Sequence, residues 1–435
     1  MRRVAVIGSG VSGLAVAHAL AGEADVTLFE AGSWFGGHAH TVAVRLEGIR
    51  HGVDTGFLVY NERTYPQLIN LFEQLGVESA LSEMSFSVQA PATGWEWSGS
   101  DLNGVFAQRS NLVSPRFWSM LGDIVRFNRL TTGIANRAGD ADAELDEPIG
   151  TFLDRHRFGR AFRDGYFLPM IGCIWSCPTD QMLLFPIGTM IRFCHNHGLL
   201  QLSNRPQWRT VRGGSKHYVD KLVAAVSDAR LATPVRAVRR LPPGEGAAGV
   251  MVATDHGSER FDEVVLACHS DQSLALLADA SAEERAVLGA IRYQPNRAVL
   301  HTDTSVLPRR RRAWAAWNYE RAMDRAQEDA RVCLHYLINR LQPLPWQTPV
   351  IVSLNPLRPI RPDAVLGEWD YAHPVFDRAA IHAQARVPSL QGRSHVWFCG
   401  AWTRYGFHED GLLSGLAVAS RLRQRWSAQT SGLAA

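Results

Sequence analysis

The chain opens with a strand, three spaced glycines and a helix, and this arrangement constrains the fold more than anything that follows. Val4-Ala5-Val6-Ile7 reads as a buried parallel strand, Gly8-Ser9-Gly10-Val11-Ser12-Gly13 as a tight turn, and Leu14 to Leu20 as a helix. A second apolar run, Val26 to Phe29, ends in Glu30. Each part has a physical task. Gly8 permits the sharp turn, Gly10 lets the backbone approach a pyrophosphate, and Gly13 lets helix and strand pack closely. Ser12 stands in the same turn and joins the set of cofactor contacts. The helix N-terminus attracts phosphates. Glu30 accepts ribose hydroxyls and repels a 2′-phosphate, which disfavours NADP. Arg2-Arg3 ahead of an apolar run imitates a signal peptide. The glycines inside that run have the better use just given, so a cytoplasmic protein is expected.

Composition excludes several classes. The 435 residues are 46% hydrophobic and 20% charged, enough to bury a large core and unlike a disordered or collagen-like chain. The 45 basic and 42 acidic side chains leave a net charge of +3, which gives no electrostatic case for a nucleic-acid partner. Cysteines at 173, 177, 194, 268, 333 and 399 form no CxxC pair and read as reduced thiols. Cys173, Cys177, Cys194, His195 and His197 do not have standard zinc spacing, so no metal is expected. The longest uncharged apolar stretch, Gly165 to Thr179, contains Pro169 and Pro178 and falls short of the roughly 20 residues a membrane span needs.

Two further segments bear on the cofactor. Trp34-Phe35-Gly36-Gly37-His38-Ala39-His40-Thr41 precedes Val53-Asp54-Thr55-Gly56. Near the C-terminus, Val396 to Cys399 reads as a strand, followed by Gly400-Ala401-Trp402, Tyr405-Gly406-Phe407-His408-Glu409-Asp410-Gly411-Leu412 and a helix to about Arg425. Together with the first motif, these resemble the flavoprotein superfamily of monoamine and polyamine oxidases, phytoene desaturases and protoporphyrinogen oxidase. The resemblance implies non-covalently bound FAD. It places Gly36 and Gly37 beside the pyrophosphate, and Asp54-Thr55-Gly56 beside the flavin ring with Thr41 close by. It closes the segment from Gly400 to Leu412 over the ribityl chain and the flavin pyrimidine. A helix N-terminus aimed at the flavin O2 would stabilise the anionic reduced ring. The chain departs from the family at two points. His38 stands where the family usually carries Arg, and Ala401 where it carries an acid, so Glu409 or Asp410 is expected to take over the ribityl contact. Superfamily members return to the cofactor domain near Leu231 to Val238, which puts Val235 by the adenine.

The expected fold is α/β. It has a Rossmann-like FAD-binding domain of the glutathione-reductase/amine-oxidase type, from residues 1–85, 201–284 and 386–435. An α+β substrate domain from residues 86–200 and 285–385 is interleaved with it. The first substrate block is helical in pattern, at Phe117 to Ala135 and Phe152 to Tyr166; the second has strand-like runs at Arg297 to Thr302, Val332 to Asn339 and Val350 to Leu354. Ser281-Ala282-Glu283-Glu284 is a capping box, and Pro242 to Gly249 reads as a hairpin tip.

Narrower phrases occur along the chain: Ala267-Cys268-His269-Ser270-Asp271-Gln272, Tyr293-Gln294-Pro295-Asn296, Trp314 to Tyr319, Asn339 to Gln342 and Tyr405 to Gly411. They look like the bacterial NAD/FAD-binding amine-oxidase-like proteins that occur beside cyclopropane-fatty-acid-synthase-type methyltransferases. That resemblance implies an FAD-dependent oxidoreductase that takes a hydride onto flavin N5 from a lipophilic substrate such as a phospholipid acyl chain, with a lipid methyltransferase as partner. Two rivals stand beside it: oxidation of a small soluble amine, and a flavin-binding partner protein without its own turnover. Amine oxidases of this fold commonly place a Lys near N5. The only lysines here are Lys216 and Lys221, neither in the expected substrate domain. A desaturation also needs a base; His408 is the first candidate, with Tyr405 or Glu409 as its partner. The abundant tryptophans suit either an apolar tunnel or an ordinary core. Arg309 to Arg312 ahead of Trp314 and Trp317 suits either a solvated loop or a peripheral contact with the inner membrane face.

Overall fold

The computed structural model describes residues 1–137, 143–200, 205–241, 248–324, 326–327 and 331–432. Arg3–Ile7 is the centre of a five-stranded parallel sheet in the order Asp228–Arg230, Asp25–Phe29, Arg3–Ile7, Glu263–Leu266 and Val396–Phe398. The four strands from Asp25–Phe29 to Val396–Phe398 are mostly apolar because both faces of the sheet are covered, whereas the edge strand Asp228–Arg230 is polar and half-buried. Val4, Val6, Leu14, Leu28 and Val265 fill one side of it together with Leu412 and Leu422 of the last helix, His408–Gly432.

The second sheet has seven strands and is mostly antiparallel. Its order is Val365–Val375, Arg292–His301, Ile351–Leu354, Cys333–Leu337, Trp317–Glu320, Phe86–Ala90 and Trp95–Ser98. The last two strands lie in a block whose periodicity reads only as helical. A helical layer follows, including Pro115–Arg137, Leu168–Trp175 and Ile187–Asn196. Phe127, Phe152, Phe162 and Phe167 form its buried core.

Several boundaries differ from expectation for local reasons. Phe152 to Tyr166 is not one helix: Arg157 takes a positive φ of 53° and Gly159 starts a new turn. Leu231 to Val238 is not one strand, because Ala232 has a positive φ of 49° and Pro234 has no N–H to donate; the strand runs Val235–Arg240. Strands Val235–Arg240 and Val250–Thr254 pair antiparallel, and Leu241 N donates to Gly249 O at 3.0 Å. Residues 242–247 of the expected hairpin tip lie outside the described residues. The capping box forms as read, with Glu284 N donating to Ser281 Oγ and Ser281 N donating to Glu284 Oε2. Among the described residues no helix is long and apolar enough to cross a membrane.

Candidate active site

A cavity of about 1300 Å³ runs from the glycine turn, between the two sheets, to the helical layer. At one end lie Gly8, Gly10, Ser12, Glu30 and Val235; in the middle lie Gly36, Gly37, His38, Gly56, Gly400 and His408.

The glycine turn works by close contact. A Cβ on Gly13 would sit 1.9 Å from Gly8 O, whereas one on Gly10 would meet nothing within 4 Å. Gly13 therefore permits the packing, and Gly10 faces free space. The helix Val11–Leu20 starts at Gly10 with no side-chain cap and no acid in its first turn, so its N-terminal amides face the cavity unclaimed. Glu30 accepts from Ser9 N at 3.0 Å, Ser9 Oγ at 2.5 Å and Gly32 N at 2.7 Å, which fixes its carboxylate at the strand tip. Gly36 N donates to Ser9 O at 3.1 Å, and a Cβ on Gly37 would lie 3.2 Å from Gly10 Cα. His38 Nε2 is buried with no hydrogen-bond partner. An open phosphate-sized approach, an uncapped helix end, a fixed acid at the ribose position and an orphaned ring nitrogen together fit FAD. These residues would hold it.

Other expected contacts are brought close to the cavity without lining it. Asp54 accepts from Thr41 Oγ1, Ser215 N, Ser215 Oγ and Gln342 Nε2, so it ties the Asp-Thr-Gly segment to the turn before Lys216. Burial pushes its carboxyl up to about 6 against those bonds. Thr55 Oγ1 shares a hydrogen bond with Tyr371 OH at 2.7 Å. Gly411 packs on the first helix: a Cβ there would lie 2.7 Å from Val11 Cγ1. Leu412 is core. Asp410 accepts from Phe407 N at 3.0 Å at the start of its own helix, and burial raises its carboxyl to about 6. Glu409 accepts from Gln67 N and Leu68 N at 2.9 Å each, closing the open N-terminus of helix Pro66–Leu75. Asp410, Glu409 and Tyr405 border a separate cavity of about 370 Å³. The structure therefore does not bring Tyr405 or Glu409 together with His408 in the main cavity.

His408 is the first residue of the last helix. Its Nε2 lies 2.5 Å from Tyr218 OH, and its ring stacks on Phe57 at 3.8 Å. Four more histidines line the same cavity, namely His38, His197, His269 and His373. His38 lies 5.3 Å from His373 and 6.4 Å from His269, ring to ring, and 4.9 Å from Tyr371. Burial holds all five neutral: it pulls His38, His197 and His269 down to about 4, and His373 and His408 down to about 3, with neighbouring histidines adding to the effect at all but His197.

His373 and Tyr371 are site residues that motif reading misses. The signal was present as alternation: Trp369, Tyr371 and His373 share one face of strand Val365–Val375. The protonation of His373 follows from its neighbours. Arg297 N donates to Asn355 Oδ1 at 2.9 Å, so Asn355 Nδ2 must donate to Val332 O and Asn296 Oδ1. Asn296 Nδ2 then faces Ser176 O, Gln294 O and His373 Nδ1 as the donor, the last at 2.9 Å. His373 Nδ1 accepts, so the ring proton is on Nε2, which no protein group among the described residues bonds.

Both lysines are exposed and lie off the cavity: Lys216 pairs with Asp220, and Lys221 donates to Leu75 O and Gly76 O. All six cysteines are free thiols. Among the described residues, Glu320, Cys333 and His335 are close enough to share an ion, but Glu320 already accepts from Arg358 and faces His335 at 3.1 Å.

The family model of flavin-containing amine oxidoreductases matches residues 11–314. No curated protein matches the chain in sequence. Among solved structures, a conjugated-linoleic-acid-producing fatty acid isomerase from P. acnes aligns at 16% identity with a TM-score of 0.65, covering 97% of this chain and 98% of that one. A cyclohexylamine oxidase from Brevibacterium oxydans IH-35A aligns at 15% identity with a TM-score of 0.66, covering 97% and 99%. A putrescine oxidase bound to putrescine gives 15% identity, a TM-score of 0.66 and the same coverage.

Proposed function

Since the chain belongs to the flavin-containing amine oxidoreductase family and is an FAD-dependent oxidoreductase, we propose that its substrate is lipophilic, a lipid acyl chain that it oxidises or desaturates. The observation that carries this reading is the cavity wall beyond the histidines. Trp97, Tyr166, Met170, Ile174, Trp317 and Tyr336 line that branch. Of the cavity's described acids, Glu30 is bound at the cofactor end, while Asp271 and Asp370 are exposed. No buried carboxylate among the described lining residues would hold an ammonium group. A fatty acid isomerase on the same fold is compatible with an acyl chain.

Bound FAD supplies a two-electron acceptor that takes hydride at N5. Desaturation removes one hydrogen as that hydride and its neighbour as a proton, leaving a C=C bond. His408 is neutral at pH 7 and so has a ring lone pair to offer the proton, although burial makes it a weak base. With Tyr218 OH accepting from Nε2–H, its Nδ1 lone pair is available. His373 cannot serve as base at Nε2, because the proton already sits there; it is a donor to whatever lies beside it.

A second reading, oxidation of a small amine, is favoured by the aromatic pair Trp317 and Tyr336, 5.0 Å apart ring to ring, which can face a cation. The test is an anaerobic visible spectrum recorded before and after adding unsaturated and methylated phospholipids, and then amines. Bleaching by a lipid supports the acyl reading. Bleaching by amines alone overturns it. Flavin that nothing bleaches favours the third reading, a flavin-binding partner of a lipid methyltransferase.

A further inference from the structure

We propose that the face formed by residues 102–118 and 309–312 docks on an anionic lipid bilayer. The inference deepens the lipid reading above, but it stands on surface chemistry rather than on the cavity. Leu102 is 77% exposed, Leu112 48%, Val113 82% and Trp118 52%. Four large apolar side chains exposed within one short stretch form a patch that water penalises.

The patch is one surface. Trp118 Nε1 donates to Leu112 O at 2.9 Å, and its ring lies 5.7 Å from Phe106. A Cβ on Gly104 would lie 3.5 Å from Arg312 O, so the arginine run borders the same turn. Arg310 pairs with the buried Glu96 and anchors that run. Arg109, Arg116, Arg309, Arg311 and Arg312 are exposed, with no acid partner among the described residues. Arg311 lies over the Trp314 ring at 5.4 Å. Asp101 is the exposed acid nearest in sequence, and its side chain accepts from Gly104 N. Apolar side chains rimmed by unpaired arginines match an interface of acyl chains below anionic headgroups.

The patch also leads inward. Trp118 touches Phe106, Phe106 touches Phe117, and Phe117 lies 6.1 Å from Trp97, which lines the cavity. Gly99, two residues before Asp101, lines it too.

The test uses the FAD-loaded protein and extruded vesicles of phosphatidylcholine, with or without one-third phosphatidylglycerol, read by co-sedimentation at low and high salt. Binding to the anionic vesicles that weakens with salt is expected. Arg309→Gln, Arg311→Gln and Arg312→Gln together should cut it about a hundred-fold, at about five-fold per basic residue. Val113→Asp should weaken binding to both vesicle types. An unchanged flavin spectrum in each variant shows that the fold is retained. Absence of binding to anionic vesicles at low salt overturns the proposal, as does binding that neither variant changes. Self-association abolished by Val113→Asp, without vesicle binding, would assign the face to a second copy and also overturn it. Vesicle binding is read without turnover, so an amine substrate in the bleaching assay would overturn the acyl reading and leave this result standing.

Discussion

Replacing Asn296 with Asp tests the hydrogen-bond chain that sets His373. The exchange is nearly isosteric, so any effect comes from donors and acceptors. Asn296 is 1% exposed. Its Nδ2 faces two carbonyl oxygens at 3.2 Å and a ring nitrogen at 2.9 Å. A carboxylate there turns three donor contacts into acceptor–acceptor contacts in a place water cannot reach. A buried group left without its partner costs about 1–3 kcal/mol, and an uncompensated buried charge about 3–5. We expect a loss of about 3–5 kcal/mol, a large fraction of the roughly 5–15 that holds a typical domain. The one local relief is a proton on His373 Nδ1. Nitrogen NMR of histidine-labelled protein should show the His373 proton on Nε2 in the wild type and on Nδ1 in the variant. The flavin reduction potential should move as well, by about 30 mV for each tenfold change in relative affinity for the two redox forms. Asn296→Leu is the uncharged control: it should destabilise less and leave the ring free to choose. An Asp variant as stable as the wild type, with its ring proton still on Nε2, would refute the derivation.

Other outcomes follow from the same geometry. His408→Ala should lower kcat by about 10²–10⁴ and keep the flavin spectrum, with Tyr218→Phe intermediate; rapid-mixing reduction kinetics read both. Gly13→Ala should abolish flavin retention on a desalting column, since its Cβ would sit 1.9 Å from Gly8 O. Glu409→Ala should lower the melting temperature through about 1–2 kcal/mol lost at the start of helix Pro66–Leu75, with little effect on bleaching rates. Stability should fall as pH drops. The five cavity histidines have folded pKa values of about 3–4, below the ordinary 6.5, so acid favours the unfolded chain from pH 6.5 downward. Asp54 and Asp410, raised to about 6, work the other way between about 6 and 4 and offset part of the loss. Melting curves from pH 8 to 5 that stay flat would contradict these directions.

The cofactor end of the molecule is the legible part. Gly8 and Gly13 act through backbone contact and Gly10 by leaving free space beside the backbone, and backbone geometry is what spacing encodes. The same spacing said nothing about Glu409, because a carboxylate beside a flavin loop and one that caps a helix 340 residues earlier in the chain look alike until the helix is placed. His373 and Tyr371 were hidden differently. They sit on an exposed-looking strand, and only its pairing with Arg292–His301 turns their face toward the cavity. Strands Phe86–Ala90 and Trp95–Ser98 escaped because each is 4 or 5 residues long and completes a sheet whose other members come about 200 residues later or more.

The two ends of the cofactor cleft come from opposite ends of the chain. Helix His408–Gly432 locks onto helix Val11–Leu20 through Gly411 and Gly415, where Cβ atoms would sit 2.7 Å and 2.3 Å from the partner helix. About 370 residues separate Glu30 from Gly400. At a translation rate of about 5–20 residues per second, the glycine turn waits roughly 20–75 s on the ribosome before its other wall exists. Flavin loading is therefore a late event in this protein's synthesis. Until then the parallel sheet has an open edge where Val396–Phe398 will pair with Glu263–Leu266.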